Sequence, residues 1–167
     1  ETWHEEYTKA MEDKKRARSI KKDEQSGATV EDEGDSKRTQ NILRSRRHLV
    51  LLAQNQKGLN NLFKLVSESY QPENFYRYPR IDYALLKKYN EGIIASSACL
   101  GGVYAGNYWE NREEGEEAVL EAMRATTRQM VDIFGDRWYA EIQWNSVPEQ
   151  HILNQHIITV AKEFGVK

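Results

Sequence analysis

Three apolar runs of strand length, each followed by a segment with helical spacing, constrain the fold of this chain more than any other feature. "HLVLLA" (48–53) is continuously apolar, the pattern of a strand covered on both faces. In "NQKGLNNLFKLVSESY", which follows, Leu59, Leu62, Phe63, Val66 and Tyr70 recur at helical spacing. A short helix in "IDYALLKKYN" leads through Gly92 into "IIASSA", a second buried strand. A long helix is predicted from about Glu113 to Phe134, with Val119, Met123, Thr126, Met130 and Ile133 on one face. "RWYAEIQW" reads as a third strand, alternating in part. The last helix, "PEQHILNQHIITVAKEF", has Pro148 in its first turn and turns Leu153, Ile157, Val160 and Phe164 inward. This order predicts an α/β fold with a parallel sheet and right-handed crossovers. In such folds the chemistry sits in loops after the C-terminal ends of strands. Cys99 and residues 143–147 both occupy such positions.

Residues 1–46 have a different character. "HEEYTKAMEDKKRARSIKKDE" carries both signs of charge on a partly helical pattern, and "QSGATVEDEGDSKRTQN" has almost nothing to bury. The expectation is a solvated helix followed by a flexible, disordered insertion. Apolar residues at 39%, with nine Tyr and four Trp, suffice for one globular core. The net charge of −2 supplies no global basic field, so any nucleic-acid contact would need a local patch or another part of the molecule. One cysteine excludes an internal disulfide and fits a reducing, cytoplasmic setting. No apolar run approaches the roughly 20 residues of a membrane-spanning helix. The chain opens on Glu1, and Gly165 followed by Val166 reads as a helix cap leading into a strand. Both ends read as those of a piece excised from a longer polypeptide.

The residue types leave several chemistries open. Cys99, in "SSACLGG", could be small buried filler, a nucleophile served by a histidine such as His48, or a thiolate ligand for zinc. Gly101 and Gly102 would let backbone approach something closely there. His151 and His156, five apart on one helix, stand roughly 140° apart around its axis and cannot share a metal. "HEEYT" begins like the zinc motif H-E-x-x-H but has Thr8 in place of the second histidine. The carboxylates of "ENREEGEE" (110–117) suit the first turn of a helix. Glu141, inside a strand, needs a partner. Arg44, Arg46 and Arg47 form a small basic cluster. No phosphate loop, nucleophile elbow or CxxC pair is present in the sequence.

Four stretches, in order, resemble one family: "HLVLLAQNQKGLNNLFKLVSESY", "FYRYPRIDYALLKKYNEGIIASSACLGG", "IFGDRWYAEIQWNSVPEQHILNQHII" and "VAKEFGVK". They are similar to the middle of the polymerase-and-histidinol-phosphatase (PHP) domain of bacterial replicative DNA polymerase III alpha subunits, over about residues 47–167. The resemblance implies a partial distorted (β/α)7 TIM-like barrel, with a cleft for about three divalent ions, zinc or manganese. It implies that Cys99 and His48 are metal ligands. The family's first His-x-His, its next His and acidic ligand, and its final Asp and His have no counterpart in this sequence. Val103 stands where many members carry Glu. The piece alone should therefore be catalytically inactive.

Through a full-length parent, the resemblance implies template-directed DNA synthesis with magnesium in an absent polymerase domain. It also implies DNA and other replisome subunits as partners, and no membrane. The PHP domain itself would then be a metal-dependent 3′-5′ exonuclease or a structural platform. A free-standing PHP phosphoesterase and a non-catalytic interaction module are the alternatives. "PRIDYALLKKYNEGIIASSACLGG" resembles the polymerase branch rather than the first of these.

Overall fold

The computed structural model describes residues 46–167, together with Lys9, Glu12 and Asp13. Apart from these, the helix and insertion read from residues 1–46, with Arg44 and the "HEEYT" match, lie outside the described residues. Contacts divide the chain into two units. One comprises Arg47–Lys64 and Lys87–Lys167, and the other includes Leu65–Leu86.

The elements run β1 (Val50–Ala53), α1 (Gln56–Ser69), β2 (Phe75–Tyr76), β3 (Tyr78–Pro79), α2 (Tyr83–Tyr89), β4 (Ile93–Ser96), α3 (Val103–Asn111), α4 (Glu116–Phe134), β5 (Trp138–Tyr139) and α5 (Pro148–Phe164). The main sheet has the order β1-β4-β5. β4 and β5 are parallel, with Ala95 opposite Trp138. β1 and β4 are antiparallel, with Val50 opposite Ser96 and Ala53 opposite Ile93. The fold is thus mixed α/β, and the all-parallel sheet read from the element order is corrected at β1.

The cause lies where β4 begins. The Gln54 N–H, just past β1, donates to the Gly92 carbonyl at 2.8 Å. Gly92 has φ +70, and a Cβ on Gly58 would stand 1.9 Å from that same carbonyl oxygen. Two glycines let the start of α1 and the entry to β4 touch, and the chain therefore re-enters the sheet beside the point where it left. Arg137 fixes the same corner, donating to the Asn90 and Ile93 carbonyls at 2.5 and 2.6 Å.

A second correction concerns β1. It is an edge strand, and Val50, Leu52 and Ala53 are exposed among the described residues. A continuous apolar run reports that both faces are apolar, and coverage depends on neighbours the run does not specify. In α1, too, Leu59, Phe63, Val66 and Tyr70 are exposed, while Gly58, Asn61, Leu65 and Ser69 are buried.

The core of the larger unit is helix on sheet. Val119, Met123, Met130 and Ile133 of α4 and Leu153, Ile157 and Val160 of α5 are buried as their spacing predicts. Ile93 and Ala95 of β4, Trp138 of β5 and Tyr104 of α3 complete it. Glu116 and Glu117 occupy the first turn of α4, where the helix dipole favours them. Pro148 opens α5, and Gly165, at φ 65, closes it in the left-handed conformation. α3 and the β2–β3 hairpin are elements that the sequence pattern did not announce. In the smaller unit, Tyr70 and Phe75 stack with ring centroids 6.0 Å apart. Asp82 Oδ1 accepts the Leu85 N–H at 2.8 Å and so caps the start of α2.

Candidate metal centre

The antiparallel register carries the site. It sets the start of β1 beside the exit of β4, so His48, two residues before β1, and Cys99, three after β4, come to the same end of the sheet. A parallel pairing would have put them at opposite ends. The His48 N–H donates to the Gly101 carbonyl at 2.8 Å, and His48 forms a parallel bridge to Gly102. His48 Nδ1 stands 3.4 Å from Cys99 Sγ. The imidazole is exposed, and Cys99 is half-buried.

Two glycines follow Leu100: backbone makes the second obligatory, whereas the first faces the His48 side chain at the edge of contact. A Cβ on Gly101 would lie 3.0 Å from His48 Nδ1, and one on Gly102 would lie 2.0 Å from the Ser97 carbonyl oxygen. The loop is closed by the Gly102 N–H donating to the Cys99 carbonyl at 2.7 Å, and the Gly101 N–H faces Sγ at 3.4 Å. Ala98, immediately before the cysteine, sits at φ 59, a left-handed conformation unfavourable for a residue with a Cβ.

These two donors suit one metal ion. A thiolate and an imidazole on a tetrahedral zinc, at about 2.3 and about 2.0 Å, stand roughly 3.5 Å from each other. The observed 3.4 Å separation is close to that value, and solvent reaches the pair. Among the described residues no group of three His, Cys, Asp or Glu side chains gathers to hold an ion. The described residues therefore bring together two donors, His48 and Cys99, and no third.

α3, missed in the sequence, frames the loop. Trp109 Nε1 donates to the Leu100 carbonyl at 3.1 Å, and the Arg112 guanidinium lies 5.0 Å from the centre of the indole. Arg47, next to His48, pairs with Glu110, and its side chain crosses Gly106, where a Cβ would stand 1.9 Å from Nε. The Arg47 end of the basic cluster is therefore neutralised locally. Arg46 lies 4.1 Å over the Tyr78 ring.

Glu141 has its partners. Ser96 Oγ donates to one carboxylate oxygen at 2.5 Å, and Gln143 Nε2 donates to the other at 2.8 Å. The backbone N–H of Glu141 donates to Ser97 Oγ at 2.9 Å. Beyond it, Asn154 Nδ2 donates to the Gln143 carbonyl and Gln150 Nε2 donates to Asn154 Oδ1, both at 2.8 Å. His151 is exposed beside Trp144, and His156 is buried with Nδ1 2.9 Å from the Ile152 carbonyl. Neither joins His48. No helix among the described residues is long and apolar enough to cross a membrane.

Comparison with known proteins extends the likeness beyond the loop. The sequence pattern of the family described as the PHP domain matches residues 4–145. DNA polymerase III subunit alpha of Aquifex aeolicus (strain VF5) is 45% identical over 120 residues, which cover 72% of this chain and 10% of that protein. The corresponding figures for DNA polymerase III subunit alpha of Borreliella burgdorferi are 39% over 120 residues, covering 71% and 10%. For that of Thermus aquaticus they are 37% over 119 residues, covering 71% and 9%. The chain spans about a tenth of the length of these relatives. With the family pattern matching most of its length, the chain belongs to the PHP domain family.

Proposed function

We propose that this chain serves in DNA replication as the PHP region of a DNA polymerase III alpha-type protein. In this reading His48 and Cys99 are two ligands of a divalent ion, zinc or manganese, and the sheet is a sector of the family's distorted barrel. The observation that supports it is the 3.4 Å approach of Nδ1 to Sγ at a sheet end, beside a turn that only glycine at 102 can make. The likeness to polymerase subunits supports the replication setting, with DNA and replisome subunits as partners of the whole protein. Template-directed synthesis, with its own magnesium, belongs to parts of such a protein outside this chain.

A divalent ion in this position supplies Lewis acidity toward a phosphodiester. The residues here hold and orient it: His48 through its backbone bond to Gly101, Cys99 through the closed turn before Gly102. The domain then acts as a 3′-5′ exonuclease when the remaining ligands are present. Elemental analysis of the natural protein and of Cys99→Ser tests the proposal. The same test separates this reading from the alternative, a structural platform within the polymerase. Stoichiometric zinc or manganese that falls in the variant supports it, and a metal-free natural protein refutes the metal reading and leaves the platform.

A further inference from the structure

A carboxylate at the end of an apolar sheet, with no Lys or Arg paired to it among the described residues, calls for an explanation that sheet stability does not give. Glu141 grips both residues that precede the Ala98 turn. Its side chain accepts the Ser96 hydroxyl at 2.5 Å, and its backbone N–H donates to the Ser97 hydroxyl at 2.9 Å. With its hydrogen committed to Glu141, Ser96 Oγ turns its lone pairs toward the Ala98 N–H, 3.4 Å away. Ala98 is the residue at φ 59, and the next side chain along is Cys99. Gln143 holds the second carboxylate oxygen, which fixes the plane of the group.

We infer that Glu141 is a positioning residue: through the Ser96 hydroxyl and the Ala98 turn, its carboxylate holds Cys99 Sγ against His48 Nδ1. Sequence position hides this role, because 42 residues separate the carboxylate from the thiol. A left-handed turn at a non-glycine residue persists only where its surroundings hold it, and the two serines bound to Glu141 are those surroundings. The consequence for metal binding rests on the ligand reading above, whereas the positioning itself does not.

The test has two arms. In the first, on metal-free protein, the ring signals of His48 and His156 are recorded by NMR for the natural chain, Cys99→Ala, Glu141→Ala, Glu141→Gln and Ser96→Ala. Cys99→Ala defines the position of a His48 signal without its thiol neighbour. Glu141→Ala and Ser96→Ala should each move the His48 signal at least halfway to that position. Glu141→Gln, whose carbonyl oxygen still accepts the Ser96 hydroxyl, should stay near the natural one. His156, on α5, should not move. A His48 signal unchanged in Glu141→Ala overturns the proposal, and if that variant does not fold, Ser96→Ala decides in its place. In the second arm, cobalt(II) is titrated into the complete parent protein, which carries the remaining ligands of the proposal, and the thiolate-to-cobalt charge-transfer band is followed. Affinity should fall about tenfold in Glu141→Ala, the scale of an outer partner of a metal ligand. No band in the natural parent protein would sink the ligand reading alone, and the first arm would still decide the positioning role.

Discussion

At the scale of single residues, the site depends on what is missing from side chains as much as on what they carry. Gly102 lies with its Cα turned onto the Ser97 carbonyl, and any Cβ there would stand 2.0 Å from that oxygen. The obstacle is backbone at the end of β4, which cannot swing aside. Gly102→Ala is therefore expected to destabilise the protein by about 1–3 kcal/mol, as overpacking does, and to open the His48–Cys99 pair. Thermal unfolding measures the first effect and metal content the second. Tyr104 shows the opposite case, a polar group whose every bond is made. The Trp138 indole N–H donates to its oxygen at 3.1 Å, its hydroxyl lies 2.7 Å from Thr127 Oγ1, and Thr127 donates to the Met123 carbonyl at 2.8 Å. Burial raises the Tyr104 pKa, so the phenol stays neutral and can serve this chain. Tyr104→Phe would strand the Trp138 N–H in the core. A loss of about 1–3 kcal/mol in denaturant unfolding is expected, and no loss would show that the chain of bonds is dispensable.

Among elements, the packing of α4 on α5 carries a charge contact with a definite pH signature. Arg124 donates to both oxygens of Glu163, at 2.8 and 3.0 Å, and to Glu117 at 2.6 Å. The hydrogen bonds from Arg124 hold the Glu163 carboxyl below its ordinary range, and those from Glu163 first, then Glu117, raise the guanidinium pKa further. Because the folded-state value of Glu163 is depressed, its contribution is present above the unfolded pKa, about 4.3. It is lost as pH falls through the lower folded value. The Tm difference between the natural protein and Glu163→Gln should therefore be constant near neutrality and shrink on acidification below about pH 4. A difference independent of pH would contradict the assignment.

The same scale shows what the sequence could and could not convey. α4 and α5 were legible because two apolar positions per turn must face a core, and Val119, Met123, Met130, Leu153 and Ile157 do. β4 was legible for the same reason. The direction of β1 was not, since strand–helix–strand order leaves open whether the chain crosses over or returns to the strand's own exit. That choice rests on the contact of Gly58 with Gly92, which are 34 positions apart. α3 was obscured by the glycines before it and at Gly106 within it, and by aromatic residues that weakly favour helix. Of the site, Cys99 and His48 stood out by residue type and by resemblance. Ser96 and Glu141 did not, because a hydrogen bond between distant positions leaves no period in the sequence.

For the molecule as a whole, the match over residues 4–145 places the chain in its family, while the part aligned with its relatives covers only about 10% of their length. The ligand pair is then one part of a set completed, in the proposal, by residues other than those described here. That His48 and Cys99 bind one ion together is open to X-ray absorption at the zinc edge of the zinc-loaded parent protein. One sulfur scatterer at about 2.3 Å and imidazole nitrogen at about 2.0 Å are expected. Cys99→Ser should remove the sulfur and His48→Ala should reduce the imidazole signal. Bound zinc with no sulfur in its shell, in protein whose Cys99 is intact, would contradict the claim.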